Sequence, residues 1–146
     1  MIREFEYYVE TNAVQKKTPN IAMAKALLEK AELRLSKTAT SHIVSEQAAL
    51  VLEDAYESAR EAAQSLMELF GFKPYSHEAL IAFLKQKQLL GANDIDKFNR
   101  YRILRNKSIY EAEQFSVKTA TEAVAFAKAS IPKIRELFLK KLEAKI

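Results

Sequence analysis

The stretch IVSEQAALVLEDAYESAREAAQSLMELFG, Ile43–Gly71, decides the fold. Leu52, Tyr56, Ala59, Ala63, Leu66 and Phe70 recur in alternating steps of four and three. That spacing puts them on one face of an α-helix at about 100° per residue. The helix expected from about Ile43 to Phe70 is the longest in the chain. Its small residues let a neighbouring helix approach closely. Gly71 stands where a left-handed C-cap is expected. A second row, Glu53, Glu57 and Glu61 at i, i+4 and i+8, reads as a solvated face supported by pairing with Arg60. No histidine joins that row, so it does not read as a metal site.

Working outward, the same periodicity returns on both sides. Residues 1–17 read as a short helix or arm with Ile2, Phe5, Tyr8 and Val9 as its apolar side. Thr18-Pro19 reads as an N-cap with proline at the first helical position. Ile21, Ala24, Leu28, Ala31 and Leu35 then form one helix face, and Lys37–Ser41 is a polar break. After Gly71 a helix is expected from Ser76 to about Gly91, bearing Leu80, Ile81, Phe83 and Leu84. Asn93 or Asp94 is the expected cap of the next helix. Ser116 is the expected cap of the last, with Val117, Ala120, Val124, Ala127 and Ile131 inward. Pro132 should kink or split it, and Ile134, Phe138 and Leu142 continue its stripe. Lys140, Lys141 and Lys145 complement the dipole at its end. No period-2 run is long enough for a strand. With 2 Gly and 3 Pro, tight turns are few. The expected fold is a single all-α domain over residues 1–146, an up-and-down bundle of about four main helices with a short N-terminal helix or arm.

Composition excludes several kinds of function. There is no cysteine, so disulfides and thiolate zinc sites are ruled out. His42 and His77 have no metal-ligand spacing. There is no Gly-rich phosphate loop and no nucleophile elbow. No metal and no cofactor is expected. The charged N-terminus is not a signal peptide, and no apolar run is long enough for a membrane span, so a cytoplasmic protein is expected. A net charge of +4 mildly favours anionic partners, tempered by 19 acidic residues.

The functional signal lies in Arg100-Tyr-Arg-Ile-Leu-Arg-Asn-Lys-Ser-Ile-Tyr110. As a helix, Ile95, Phe98 and Ile109 define an apolar arc. Arg102, Arg105, Asn99 and Asn106 fall on or beside it. A guanidinium on a core-facing arc is costly unless paired. Arginine stems also cover apolar surface while the head reaches water. Two arginines and two asparagines on one arc point instead to a polar cleft or an interface. His77, at a helix start, reads as a capping or packing residue and as a binding candidate.

The order of these features resembles the HEPN domain family, over roughly residues 20–140. Ala55-Tyr56, Ala62-Ala63-Gln-Ser-Leu66 and Gly71 resemble its long helix. Tyr75-Ser-His-Glu-Ala-Leu-Ile-Ala-Phe-Leu84 is similar to the Ser-His segment of its archaeal and bacterial members. Arg105-Asn106 with Tyr110 matches the spacing of its Arg-polar-x3-His signature, and Ser116–Phe126 resembles the start of its last helix. The resemblance implies a helical protein that binds nucleotide or RNA, often dimerises with its Arg helices facing each other, and commonly pairs with a minimal nucleotidyltransferase in a toxin–antitoxin-like or nucleotide-transfer system. In the family's ribonucleases it implies metal-independent cleavage, with Arg holding phosphate and His assisting proton transfer. This sequence departs from that pattern: the His position is Tyr110, and Ala112 stands two residues further on. A phenol with a pKa near 10 is a poor general base at neutral pH. The catalytic candidates are Arg105, Asn106 and Tyr110. The substrate-binding candidates are Arg100, Arg102, Arg105, Lys107, Tyr56 and His77. Three readings stay open: a nucleotide- or RNA-binding module beside a nucleotidyltransferase, an endoribonuclease toxin with Tyr110 in an unusual role, and a structural helical homodimer whose arginines pair across the interface.

Overall fold

A computed structural model of the chain describes residues 2–39 and 42–144. Thr40 and Ser41 of the expected polar break and Lys145 of the terminal lysines lie outside these residues. The order of elements is α1 (Phe5–Glu10), β1 (Val14–Lys16), α2 (Ile21–Ala39), a 3-10 turn (Ser45–Gln47), α3 (Ala48–Phe70), β2 (Phe72–Pro74), α4 (His77–Gln86), α5 (Ala92–Glu111) and α6 (Val117–Ala144). The fold is all-α. No helix among the described residues is long and apolar enough to cross a membrane.

α3 is the central element, and it packs most extensively on α2 and α6. Leu52, Tyr56, Ala59, Ala63 and Leu66 are all buried along it, as their spacing requires. α2 runs antiparallel to α3, since Asn20 and Lys17 meet Glu68 while Arg34 meets Asp54 and Glu61. α6 runs parallel to α3. Phe98 of α5 touches both Tyr56 and Phe126 near the starts of α3 and α6, and the Lys141 ammonium lies over the Phe70 ring at their ends. α4 and α5 close the remaining side, with Phe83, Leu84 and Phe98 fully buried.

Several element ends differ from the sequence expectation. α2 begins after Asn20, whose Oδ1 accepts from Met23 N at 3.0 Å, so the cap is Asn20 and not Thr18. It also continues through Lys37 and Thr38, where a break was expected. α3 starts at Ala48, with a 3-10 turn where the helix was expected to begin. Gly91 is the N-cap of α5; Asp94 instead receives Lys133 of α6 at 2.9 Å. Ser76 and Ser116 do cap α4 and α6. α6 passes through Pro132 without splitting. A buried stripe from Ala120 to Phe138 spans the proline and outweighs the one hydrogen bond it removes.

The two strands carry no period-2 signal in the sequence. β1 and β2 pair antiparallel in the register Val14↔Pro74, Gln15↔Lys73 and Lys16↔Phe72. Each is three residues long, too short for a period-2 signal, and each is specified by its distant partner. The pairing is extended at both ends by Lys17 N to Gly71 O and Tyr75 N to Ala13 O. Gly71 is required here twice over. Its φ is +84°, and a Cβ would stand 2.8 Å from the Lys17 carbonyl oxygen. This ribbon fixes the segment that leads into α4, and so fixes Ser76, His77 and Glu78.

Candidate functional site

Three helices meet around His77. Ser76 Oγ accepts from Glu78 N and Ala79 N, which anchors the first turn of α4. α5 crosses opposite, and α3 passes beneath. Ser76, His77 and Glu78 line one wall of a cleft of about 210 Å³; Arg102, Arg105, Asn106 and Tyr110 line the other. A second hollow of about 230 Å³ adjoins on the far side of His77, lined by Arg60, Gln64, Pro74, Tyr75 and Leu80 as well.

The arc on α5 explains the arginines. Ile95, Phe98 and Tyr101 are buried, so the helix faces the core through its first half. Arg102, one turn after Phe98, has a side chain only 12% exposed. Its Nε donates to Asn99 Oδ1 at 3.0 Å, and its Nη1 lies 3.7 Å from Glu78 Oε1. Glu78 is also met by the Tyr8 hydroxyl at 3.4 Å. Arg105 Nη1 donates to Asn106 Oδ1 at 3.2 Å, and Arg105 has no ion pair among the described residues. The expected continuation of the apolar arc fails at Ile109, which is exposed, because the last turn of α5 has only Ser108 directed inward. Ser108 Oγ donates to Glu53 Oε2 at 2.7 Å.

Beneath the cleft, Arg60 engages Glu57 fork to fork, Nε to Oε1 at 2.6 Å and Nη2 to Oε2 at 3.1 Å, and donates to Gln64 Oε1 at 2.7 Å. Burial works to raise the Glu57 carboxyl, but the bonds and charge of Arg60, with Arg105 and His77 adding, carry it below the ordinary carboxylate range. Burial pushes the Tyr56 phenol well up, so it stays protonated. Its hydroxyl meets His77 Nδ1 at 3.0 Å, with the two rings stacked at 5.7 Å. The His77 imidazole is lowered to about 4 by burial, with Arg60, Arg105 and Arg102 pushing the same way against Glu57. It is therefore neutral at physiological pH. Its Nε2 has no hydrogen-bond partner among the described residues.

The structure brings Arg102, Arg105, Asn106, Tyr110 and His77 to one cleft, with Tyr56 behind His77. Tyr110 sits at the rim, 77% exposed. Arg100 is not part of this cleft. It points to the α6 side, 3.9 Å from Glu122, and lines a different hollow with Tyr101 and Phe126. Lys107 is half-buried and lines neither hollow beside His77.

The carboxylate row on α3 is not a solvated face. Glu61 is 3% exposed and takes Arg34 Nε at 2.7 Å and Lys30 at 3.3 Å. Glu57 engages Arg60 beneath the cleft, and Glu53 holds Ser108. The expected pairing of Arg60 with Glu57 forms, but Glu61 and Glu53 meet residues of other helices, which a one-dimensional row cannot show. Sequence reasoning therefore missed Glu57 and Arg60 as site residues. The available signal was that Arg60 stands four residues after Tyr56, one turn along the same face.

No protein-family model matches the chain, and no curated protein does.

Proposed function

We propose that the chain is a HEPN-like nucleotide- or RNA-binding protein that holds a phosphate against Arg105 and Arg102. The observation that carries this reading is Arg105. It is a guanidinium without a carboxylate partner, in a cleft that also holds Arg102 and a neutral imidazole. Unmatched cationic forks in a half-enclosed space suit a phosphate oxyanion, which they bind bidentately. The neighbouring hollow adds an exposed tyrosine, Tyr75, beside Pro74 and Leu80. Such surface suits the sugar and base of a nucleotide. The resemblance to the HEPN family adds two further parts to the proposal. One is a homodimer, favoured by the exposed Ile103, Ile109 and Tyr110 on α5. The other is a minimal nucleotidyltransferase partner in a toxin–antitoxin-like or nucleotide-transfer system.

The test is titration of labelled RNA and a panel of nucleotides at two salt concentrations, with wild type and Arg105→Ala. Loss of one charged hydrogen-bond pair is expected to weaken binding by about tenfold or more. The salt slope is expected to fall by about one unit per lost contact on duplex, and somewhat less on single strands. An Arg105→Ala protein that binds as wild type and melts at a lower temperature assigns the arginine to structure.

A second reading, a metal-independent endoribonuclease, gains from one observation. An imidazole does stand in the arginine cleft, supplied by His77 and not by the Tyr110 position. A base whose pKa is about 4 is poorly matched to neutral pH, so binding remains the preferred reading.

A further inference from the structure

We infer that the cleft prefers a doubly charged anion to a singly charged one, and that the second charge is met by a proton taken up on His77. The inference rests on the anion-binding reading above and specifies its ligand: a terminal phosphomonoester and not an internal phosphodiester.

The charge inventory leads there. From α3, Arg60 is matched by Glu57. From α4 and α5, Glu78 and Arg102 stand 3.7 Å apart. Only Arg105 is left without a carboxylate, so the walls carry one unmatched positive charge. A singly charged anion balances it. A doubly charged anion leaves one negative charge without a counter-charge on the walls, and a further positive charge beside it would be favoured.

Few groups there can change charge. The phenols of Tyr56, Tyr75 and Tyr110 can only become negative, and asparagine and serine do not titrate. Glu57 is held ionised by Arg60, and Glu78 is already engaged by the Arg102 guanidinium and the Tyr8 hydroxyl. His77 is the remaining inward group that gains positive charge by taking a proton. Its geometry permits this without rearrangement. The Tyr56 hydroxyl can donate to Nδ1 of the neutral Nε2–H tautomer and can accept from Nδ1–H of the charged ring. Nε2 stays open for the ligand in both states.

The groups that keep the free ring neutral are the ones an anion would offset. Burial, Arg60, Arg105 and Arg102 oppose its protonation. An anion between the arginines cancels much of their repulsion and adds attraction of its own. The ring's affinity for a proton therefore rises on binding, and by linkage a proton enters with the ligand.

The test uses the full chain and two probes of equal chemistry and different charge. Sulfate stays doubly charged and methyl sulfate singly charged across the working range, so any proton taken up belongs to the protein. Titration calorimetry at pH 5 to 7, in buffers of different ionisation enthalpy, reads the uptake directly. The expected result is about one proton per sulfate bound and close to none for methyl sulfate. Sulfate affinity is expected to fall by up to about tenfold per pH unit while uptake is complete. His77→Asn is expected to abolish uptake and flatten that profile, and to cost sulfate more affinity than methyl sulfate. If His77→Asn fails to fold, the imidazole NMR signals of the wild type with and without sulfate give the same answer. His42 is the only other histidine. The same preference is expected for a nucleoside monophosphate over its cyclic diester. Sulfate binding without uptake, or uptake that survives in His77→Asn, overturns this inference and leaves the anion site standing. Failure of both probes and of every phosphate ligand removes the site itself.

Discussion

α3 carries charge into two interfaces, and they are completed differently. Toward α2, the buried carboxylates Glu61 and Glu68 each have their cations: Arg34 and Lys30 for the first, Lys17 together with the Asn20 N–H for the second. No buried side-chain polar atom among the described residues lacks a partner. Toward α4 and α5, Glu57 and Glu78 meet Arg60 and Arg102, Glu53 meets the Ser108 hydroxyl, and the guanidinium of Arg105 is left without a carboxylate. The first interface is closed, since its charges answer each other. The second is open, since Arg105 has no carboxylate partner among the described residues. Residue type does not separate the two; balance and access to solvent do.

The largest effect is expected on the closed side. Glu61→Ala should cost about 2–3 kcal/mol in urea unfolding, somewhat below the usual range for a broken buried pair because Arg34 and Lys30 can turn to water. A variant as stable as wild type would remove the distinction between the two interfaces. Gly71→Ala should follow at about 1–3 kcal/mol, through its left-handed φ and the contact with Lys17 O. Glu61→Ala should leave anion binding intact in the folded protein.

The open side should announce itself through pH. The folded His77 pKa, about 4, lies below the unfolded value of 6.5. Between those values the unfolded chain binds more protons than the folded one, so stability falls as the pH drops from 6.5 to 4. His77→Asn should flatten that part of the profile, and sulfate should partly restore the wild type. Equal pH profiles for wild type and His77→Asn would mean that the ring is not held neutral by its neighbours.

Much of this contrast could be read in the sequence, and some of it could not. The helices followed from steps of three and four because burial on α3 is one-sided enough to show in a single strip. The arginine arc was legible for the same reason: Ile95 and Phe98 fix the inward direction, and Arg102 falls beside it, although Ile109 does not continue it. The Glu row misled because Glu53 and Glu61 meet partners on α5 and α2, and a helical wheel contains only one helix; the expected Glu57–Arg60 pair does form. The cap of α5 misled because Asp94, a good capping residue, is taken by Lys133. The β1–β2 ribbon was invisible because three-residue strands are specified by each other. Yet that ribbon is what sets His77 against Tyr56.

Arg105→Ala sharpens the comparison from the other direction. An arginine that serves the fold costs stability when removed; one held for a ligand does not. Arg105→Ala is expected to change stability by less than about 0.5 kcal/mol, while weakening phosphate binding as described above. Melting curves with and without ligand measure both quantities on one sample.

Tyr110 is expected to show the smallest structural effect and the most specific chemical one. At 77% exposed, and with no hydrogen-bond partner among the described residues, its removal should change stability by less than about 0.5 kcal/mol. If α5 meets a second copy of the chain, Tyr110→Ala should instead raise the dimer dissociation constant, which sedimentation at several concentrations would register. Chemically, Tyr110 occupies the position where the resemblance calls for a titrating imidazole. General acid–base assistance is typically worth about 10²–10⁴-fold in rate, so wild-type cleavage of RNA in metal-free buffer should be weak or undetectable. Activity that appears only in Tyr110→His would mean that the arginine cleft is otherwise competent and lacks just the proton-transfer group. Robust wild-type cleavage, lost in both Arg105→Ala and His77→Asn, would mean the opposite. The imidazole across the cleft would then do the work from α4, and the open interface would be an active site and not only a binding site.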